Sequence, residues 1–271
     1  MNQNAVESLK NWFKKYVATY KGKYPEIINS LDMKEKHTYR VCREMVKIGK
    51  KLCLSDEELE LAEIIALLHD VGRFEQYARN KSFRDTEKFN HAEYGIKIIE
   101  RYRLLRHFSV EKQELACKAI LYHNRAMLPT DEPDEDLFFA KMVRDADKLD
   151  IFEIVLTHYL DEKKKGKKKV EIDLPTDDEL SEKVLNDVLN KKLVLYSDMK
   201  THMDFKVLMF SWFYDINFWP SLQIMQERNY LQRLRNLLPG SSRIDRIYIQ
   251  VYTDLQQRLK SIHQMRFSSA A

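Results

Sequence analysis

The chain has 271 residues, 44% hydrophobic and 32% charged, which provides for a sizeable core and excludes wholesale disorder. Gly and Pro number six each, against typical usage of about 7% and about 5%, too few for the frequent turns of an all-β fold. The net charge of +4 rests on six lysines between positions 163 and 169. Without them the remainder is slightly acidic, so a basic body built for nucleic acid is excluded, and the run reads as a solvated loop.

The three cysteines, Cys42, Cys53 and Cys117, form no CxxC pair. They exclude a disulfide framework or zinc ribbon and point to a reducing, cytoplasmic setting. The opening MNQNAVESLKNWFKK lacks the apolar stretch of a signal peptide. The longest aliphatic run, Ile64 to Leu68, is too short to span a membrane.

Apolar residues recur at steps of three and four almost throughout, which predicts helices. The first is an amphipathic helix over 5–20. A second, over 33–51, sets His37, Arg40, Val41, Glu44, Met45 and Ile48 along one face. Ser55 and Glu58 form a capping box for a strongly apolar helix that stops at Gly72. Residues 73–89 are polar and aromatic without a clean period and read as a loop with short helical pieces. Asn90 with Glu93 opens a helix to about Arg106, and Ser109 caps another that ends at His123-Asn124.

An acidic loop around Pro129 and Pro133 leads to a long helix over 136–160. The basic linker spans 161–175, and Thr176 with Glu179 caps the next helix. Residues 201–265 hold two or three more, broken near Trp219-Pro220 and at Pro239-Gly240. The expectation is one helical domain over 1–271, its core at 30–160 and a C-terminal helical extension at 176–271. The aromatic stretch FKVLMFSWFYDINFWP reads as core or as the face of a homo-oligomer.

The pair His69-Asp70 ends the most apolar helix, where a carboxylate is costly unless it meets a cation. An isolated pair of this kind is usually a dipole-stabilised histidine beside an exposed aspartate. This pair has company. His37 lies on the apolar face of its helix, and the 136–160 helix carries the stripe Phe139, Val143, Asp147, Asp150, Ile151, Ile154. That period favours Asp147 as the functional carboxylate, with Asp150 as support, and sets Asp145 on a less inward line. Imidazoles and carboxylates from separate helices suit a first-row divalent metal.

The order His37, His69-Asp70 and RDADKLD at 144–150 resembles the HD-domain metal-dependent phosphohydrolases, an all-α superfamily. HTYRV at 37–41, LLHDVGR at 67–73 and NHAEYG at 90–95 carry the resemblance further. It implies an HD-domain helical bundle in which His37, His69, Asp70 and Asp147 bind one metal. His91 and His123 match additional histidines that bind a second ion bridged by Asp70 in some members. The cofactor implied is one or two divalent ions among Mn, Fe, Co, Mg, Ni and Zn. Arg40 and Arg73 would bring guanidinium forks to a phosphate, and Lys148 stands beside Asp147. The other histidines, His107, His158, His202 and His263, show no motif.

The function expected is hydrolysis of a small phosphorylated substrate, a nucleotide among the candidates, by a metal-bound hydroxide, with Asp70, Arg40, Arg73 and Lys148 serving catalysis. Two alternatives share the donor set: an HD-fold di-iron oxygenase, and a nucleotide-binding module without turnover.

Overall fold

The computed structural model describes residues 3–165 and 179–268. Among these residues the elements are helices, with one isolated bridge between Thr86 and Phe89. The chain divides into two compact units, Met1–Asp147 and Lys148–Ala271.

In the first unit, α1 (Gln3–Lys23) buries Leu9, Phe13 and Val17 at four-residue spacing. It is followed by α2 (Ile28–Lys51) and α3 (Asp56–Leu68). The Ser55–Glu58 capping box forms as the sequence predicts. From Leu61 to Leu68 every α3 residue but Glu63 is buried, so this helix is the centre of the unit. Helices α1, α2 and α6 (Val110–Tyr122) pack around it. The first helical turns of α7 (Phe138–Lys165) join this core, where Met142 meets Gly49 of α2.

The stretch read as a loop with short helical pieces holds α4 (Gly72–Asn80), and α5 (His91–Arg101) packs against it. Helix α5 ends earlier than the sequence suggests. The chain leaves it through turns, with Arg103 in the left-handed region at φ 49°.

The second unit contains the rest of α7 with α8 (Glu182–Leu189), α9 (His202–Ser211), α10 (Trp219–Glu227), α11 (Tyr230–Asn236) and α12 (Ser242–Ser268). Helix α12 buries Ile244, Ile247, Val251 and Leu255 against α8, α9, α10 and α11. Tyr230 is fully buried, stacks on Phe152 at 5.3 Å and donates its hydroxyl to the Leu149 carbonyl at 3.2 Å. The aromatic stretch supplies core here through Phe210 and Phe213.

More helices occupy 201–265 than the sequence predicts, because Asn229 adopts a left-handed conformation, φ 52°, that separates α10 from α11 without Gly or Pro. The first residues of the expected linker are the end of α7. The rest of it, with half of the run's lysines and the Thr176 cap, lies outside the described residues. No described helix is long and apolar enough to cross a membrane.

Candidate metal centre

Six side chains from five places in the first unit converge. His37 comes from the buried face of α2, and His69 and Asp70 from the turn that joins α3 to α4. His91 is the first residue of α5, and His123 closes α6. Asp147 stands on α7.

Local chemistry fixes how each ring is presented. The His69 Nδ1 donates to the Ala66 carbonyl at 2.7 Å, and the His123 Nδ1 donates to the Ile120 carbonyl at 2.6 Å. A carbonyl only accepts, so both rings carry their proton on Nδ1 and keep a lone pair on Nε2. The His91 Nδ1 faces the Asp85 carboxylate at 2.7 and 2.8 Å.

Asp70 lies at the middle, and its two oxygens face different partners. Oδ2 is 3.5 Å from the His37 Nε2 and 3.6 Å from the His69 Nε2. Oδ1 is 3.2 Å from the His91 Nε2 and 3.7 Å from the His123 Nε2. The Asp147 Oδ1 approaches the His37 Nε2 at 3.1 Å. Two groups, His37–His69–Asp70 and Asp70–His91–His123, each bring their ligand atoms within 4.8 Å of one another.

The main chain holds these groups in place. A Cβ on Gly72 would lie 2.1 Å from the His91 carbonyl oxygen, so only glycine lets α4 meet the first turn of α5. Arg144 on α7 is buried and donates to the carbonyls of Tyr122, His123, Arg125 and Ala126. It thereby fills the open C-terminal end of α6 beside His123.

The electrostatics favour charged Asp70 and Asp147 carboxylates and neutral His69 and His91 rings. Burial pushes the His69 imidazole down to about 4. Burial, with Arg73 nearby, also lowers His91. Burial opposes ionisation of Asp70, yet Lys34, His69 and Arg73 outweigh it and hold the carboxyl well below the usual range. Asp147 is likewise lowered against its burial, chiefly by the neighbouring His37 imidazole.

Of the sequence-predicted ligands, the structure brings together all six: His37, His69, Asp70, His91, His123 and Asp147. The expectation for Asp145 is corrected: it is fully buried, because α7 is enclosed on that side as well. Arg73 reaches Asp70 Oδ1 at 3.2 Å, but the same guanidinium also binds Gln76, the Phe83 carbonyl and Asp85. Arg40 is half-buried one turn beyond His37. Lys148 belongs to the second unit, where its ammonium pairs with Asp215 at 2.6 Å.

Sequence reasoning missed Lys34, whose ammonium lies 2.7 Å from Asp70 Oδ2, and Asp85 with its partners Gln76 and Asn124. Lys34 precedes His37 by three residues and so shares its side of the helix, a signal that was available. Asp85 sits in an irregular loop, where spacing carries no such signal.

Residues 35–152 match the family model described as HD domain. The match covers less than half of the chain, and its described residues have the all-α fold of that family. No curated protein and no solved structure matches the chain. The donor set fits a divalent metal on its own terms: the fully buried His69 Nε2 has no hydrogen-bond partner among the described residues, and its lone pair points into a cluster of other donors.

Proposed function

We propose that the protein is a metal-dependent phosphohydrolase acting on a small phosphate ester, with a nucleotide as the first class to test. The observation that carries this reading is the division of Asp70, one oxygen toward His37 and His69 and the other toward His91 and His123. His37, His69, Asp70 and Asp147 would hold one ion, and Asp70, His91 and His123 a second. When bound, such ions supply Lewis acidity and a water of lowered pKa, the requirements of phosphate-ester hydrolysis.

The chain's own residues do the rest. Nδ1 bonds to the Ala66 and Ile120 carbonyls keep two imidazoles in the ligating tautomer. Lys34, 17% exposed and against Asp70, places a cation at the edge of the cluster where phosphoryl oxygens would arrive. Arg40 is the second phosphate contact in this reading. Arg73 is assigned to holding Asp70, because its other bonds leave little of the fork for substrate.

The test is metal analysis of the purified protein followed by a phosphate-release screen over nucleotides and sugar phosphates with Mn²⁺, Fe²⁺, Co²⁺ and Mg²⁺. Release that depends on metal and disappears in Asp70→Ala supports the proposal. Oxygen consumption with Fe²⁺ and no phosphate release would assign the centre to oxygenase chemistry instead.

A further inference from the structure

Asp85 lies in the 81–90 loop between α4 and α5, yet its carboxylate collects donors from three other parts of the unit. Oδ1 accepts from the His91 backbone N–H at 3.0 Å, from the Gln76 amide at 2.8 Å and from Arg73 at 3.5 Å. Oδ2 accepts from the Asn124 amide at 3.2 Å. Between them the two oxygens hold the His91 Nδ1 at 2.8 and 2.7 Å. A carboxylate offers about four lone-pair sites, so this one is fully used. Gln76, which supplies one of the donors, is itself completely buried.

His91 differs in this from the other two rings. The Nδ1 atoms of His69 and His123 are held by carbonyls three residues earlier in their own helices. His91 is the first residue of its helix, and the turn that would supply such a carbonyl does not exist. Something outside the helix must hold the proton on Nδ1. An unconstrained neutral histidine side chain favours the opposite tautomer, with the proton on Nε2, and a protonated Nε2 cannot ligate.

We infer that Asp85 is the positioning residue that makes His91 a metal ligand: it fixes the proton on Nδ1 and directs the Nε2 lone pair toward Asp70 and His123, while Arg73, Gln76 and Asn124 hold Asp85 in place. The inference rests on the reading of the cluster as a metal centre. Asp85 touches neither substrate nor ion and acts through the ring. The carboxylate also makes His91 a more basic ligand than a carbonyl would.

The experiment uses the full chain with Asp85→Ala and the near-isosteric Asp85→Asn. Long-range ¹⁵N–¹H correlation on the metal-free protein reads the His91 tautomer, and Mn²⁺ titration reads the equivalents bound and their affinities. Wild type should show Nδ1–H. Both variants should move toward Nε2–H and bind one Mn²⁺ equivalent roughly 10- to 100-fold more weakly, the other being little changed.

If Asp85→Ala fails to fold, the Asn variant carries the test, because it keeps the shape of the loop. Unchanged tautomer and Mn²⁺ affinity would overturn the inference. Equal weakening of both equivalents with a lower Tm would also overturn it, since that marks a loop staple only. The proposed hydrolase activity fails separately: a wild type that binds Mn²⁺ but releases no phosphate removes that reading, and the tautomer still decides the role of Asp85.

Discussion

His91 and His123 face each other Nε2 to Nε2 at 3.0 Å, while each Nδ1 is committed elsewhere, to Asp85 and to the Ile120 carbonyl. Both facing nitrogens therefore present lone pairs, and two lone pairs at that separation repel unless a cation lies between or beside them. The double variant His91→Ala/His123→Ala should bind one Mn²⁺ equivalent fewer than wild type and lose most hydrolysis. Calorimetric titration with Mn²⁺ checks this. Retention of two equivalents would remove both residues from the ligand set.

Asp145 and Asp147 should separate stability from metal binding. Asp145 is fully buried, whereas the Asp147 carboxylate touches the His37 Nε2 and keeps 22% exposure. Asp145→Ala is expected to destabilise by about 1–3 kcal/mol through the partner left behind in the interior, yet to retain metal. Asp147→Ala should lose metal with little change in the Tm of the metal-free protein. The reverse pattern would transfer the ligand role to Asp145.

Arg144→Ala should destabilise by about 3 kcal/mol or more, because it strips the donors from four carbonyls at the end of α6. Arg144→Lys should recover only part of this, since one ammonium cannot reproduce the fork. Urea denaturation of the metal-free variants gives the comparison. A midpoint equal to wild type for Arg144→Ala would show that water replaces the guanidinium without loss.

Metal-free protein should weaken on mild acidification. The folded His69 sits at about 4, below its ordinary 6.5. Above the ordinary value both states hold the ring neutral and pH has no effect through it. Between the two values only the unfolded chain takes the proton, so stability falls as pH falls, by on the order of 3 kcal/mol in total. His91 is shifted in the same direction and adds to the slope. Asp70 and Asp147, shifted down as acids, add a loss only in stronger acid. A urea midpoint that stays flat from pH 7.5 to about 4.5 would contradict a neutral buried His69.

The sequence made the candidate ligands legible wherever a polar residue interrupts a regular apolar face. His37 before Val41 and Met45 is one case, and Asp147 after Phe139 and Val143 is another. Helix ends were legible through caps, which placed His91 after Asn90 and His123 at the close of the helix that Ser109 starts. Helix α4 was legible only as a short helical piece within a loop, because Gln76 is buried where an apolar residue would have kept the period, and its amide is needed by Asp85. Arg144 was invisible for a related reason. An arginine in a polar motif gives no sign that its head group will cap a different helix.

Gly72→Ala should damage the centre without altering any ligand. Its new methyl group would meet the His91 carbonyl oxygen at 2.1 Å, and a main-chain atom cannot swing aside as a flexible side chain can. The expected loss is roughly 2–3 kcal/mol, with weaker Mn²⁺ binding at the Asp70–His91–His123 group. Wild-type Mn²⁺ affinity in this variant would mean that the helices part without moving His91.

That same contact gives the centre a fixed gauge. Gly72 follows Asp70 by two residues, so the backbone that carries the shared carboxylate rests directly on the backbone that carries His91. Neither helix can slide toward the other, because the gap is already closed. On the metal-centre reading, adjustment to cations of different radius falls to side-chain rotations at residues such as His37, His123 and Asp147. Discrimination among metals should accordingly be sharp on size and slow to change by substitution anywhere on the surface.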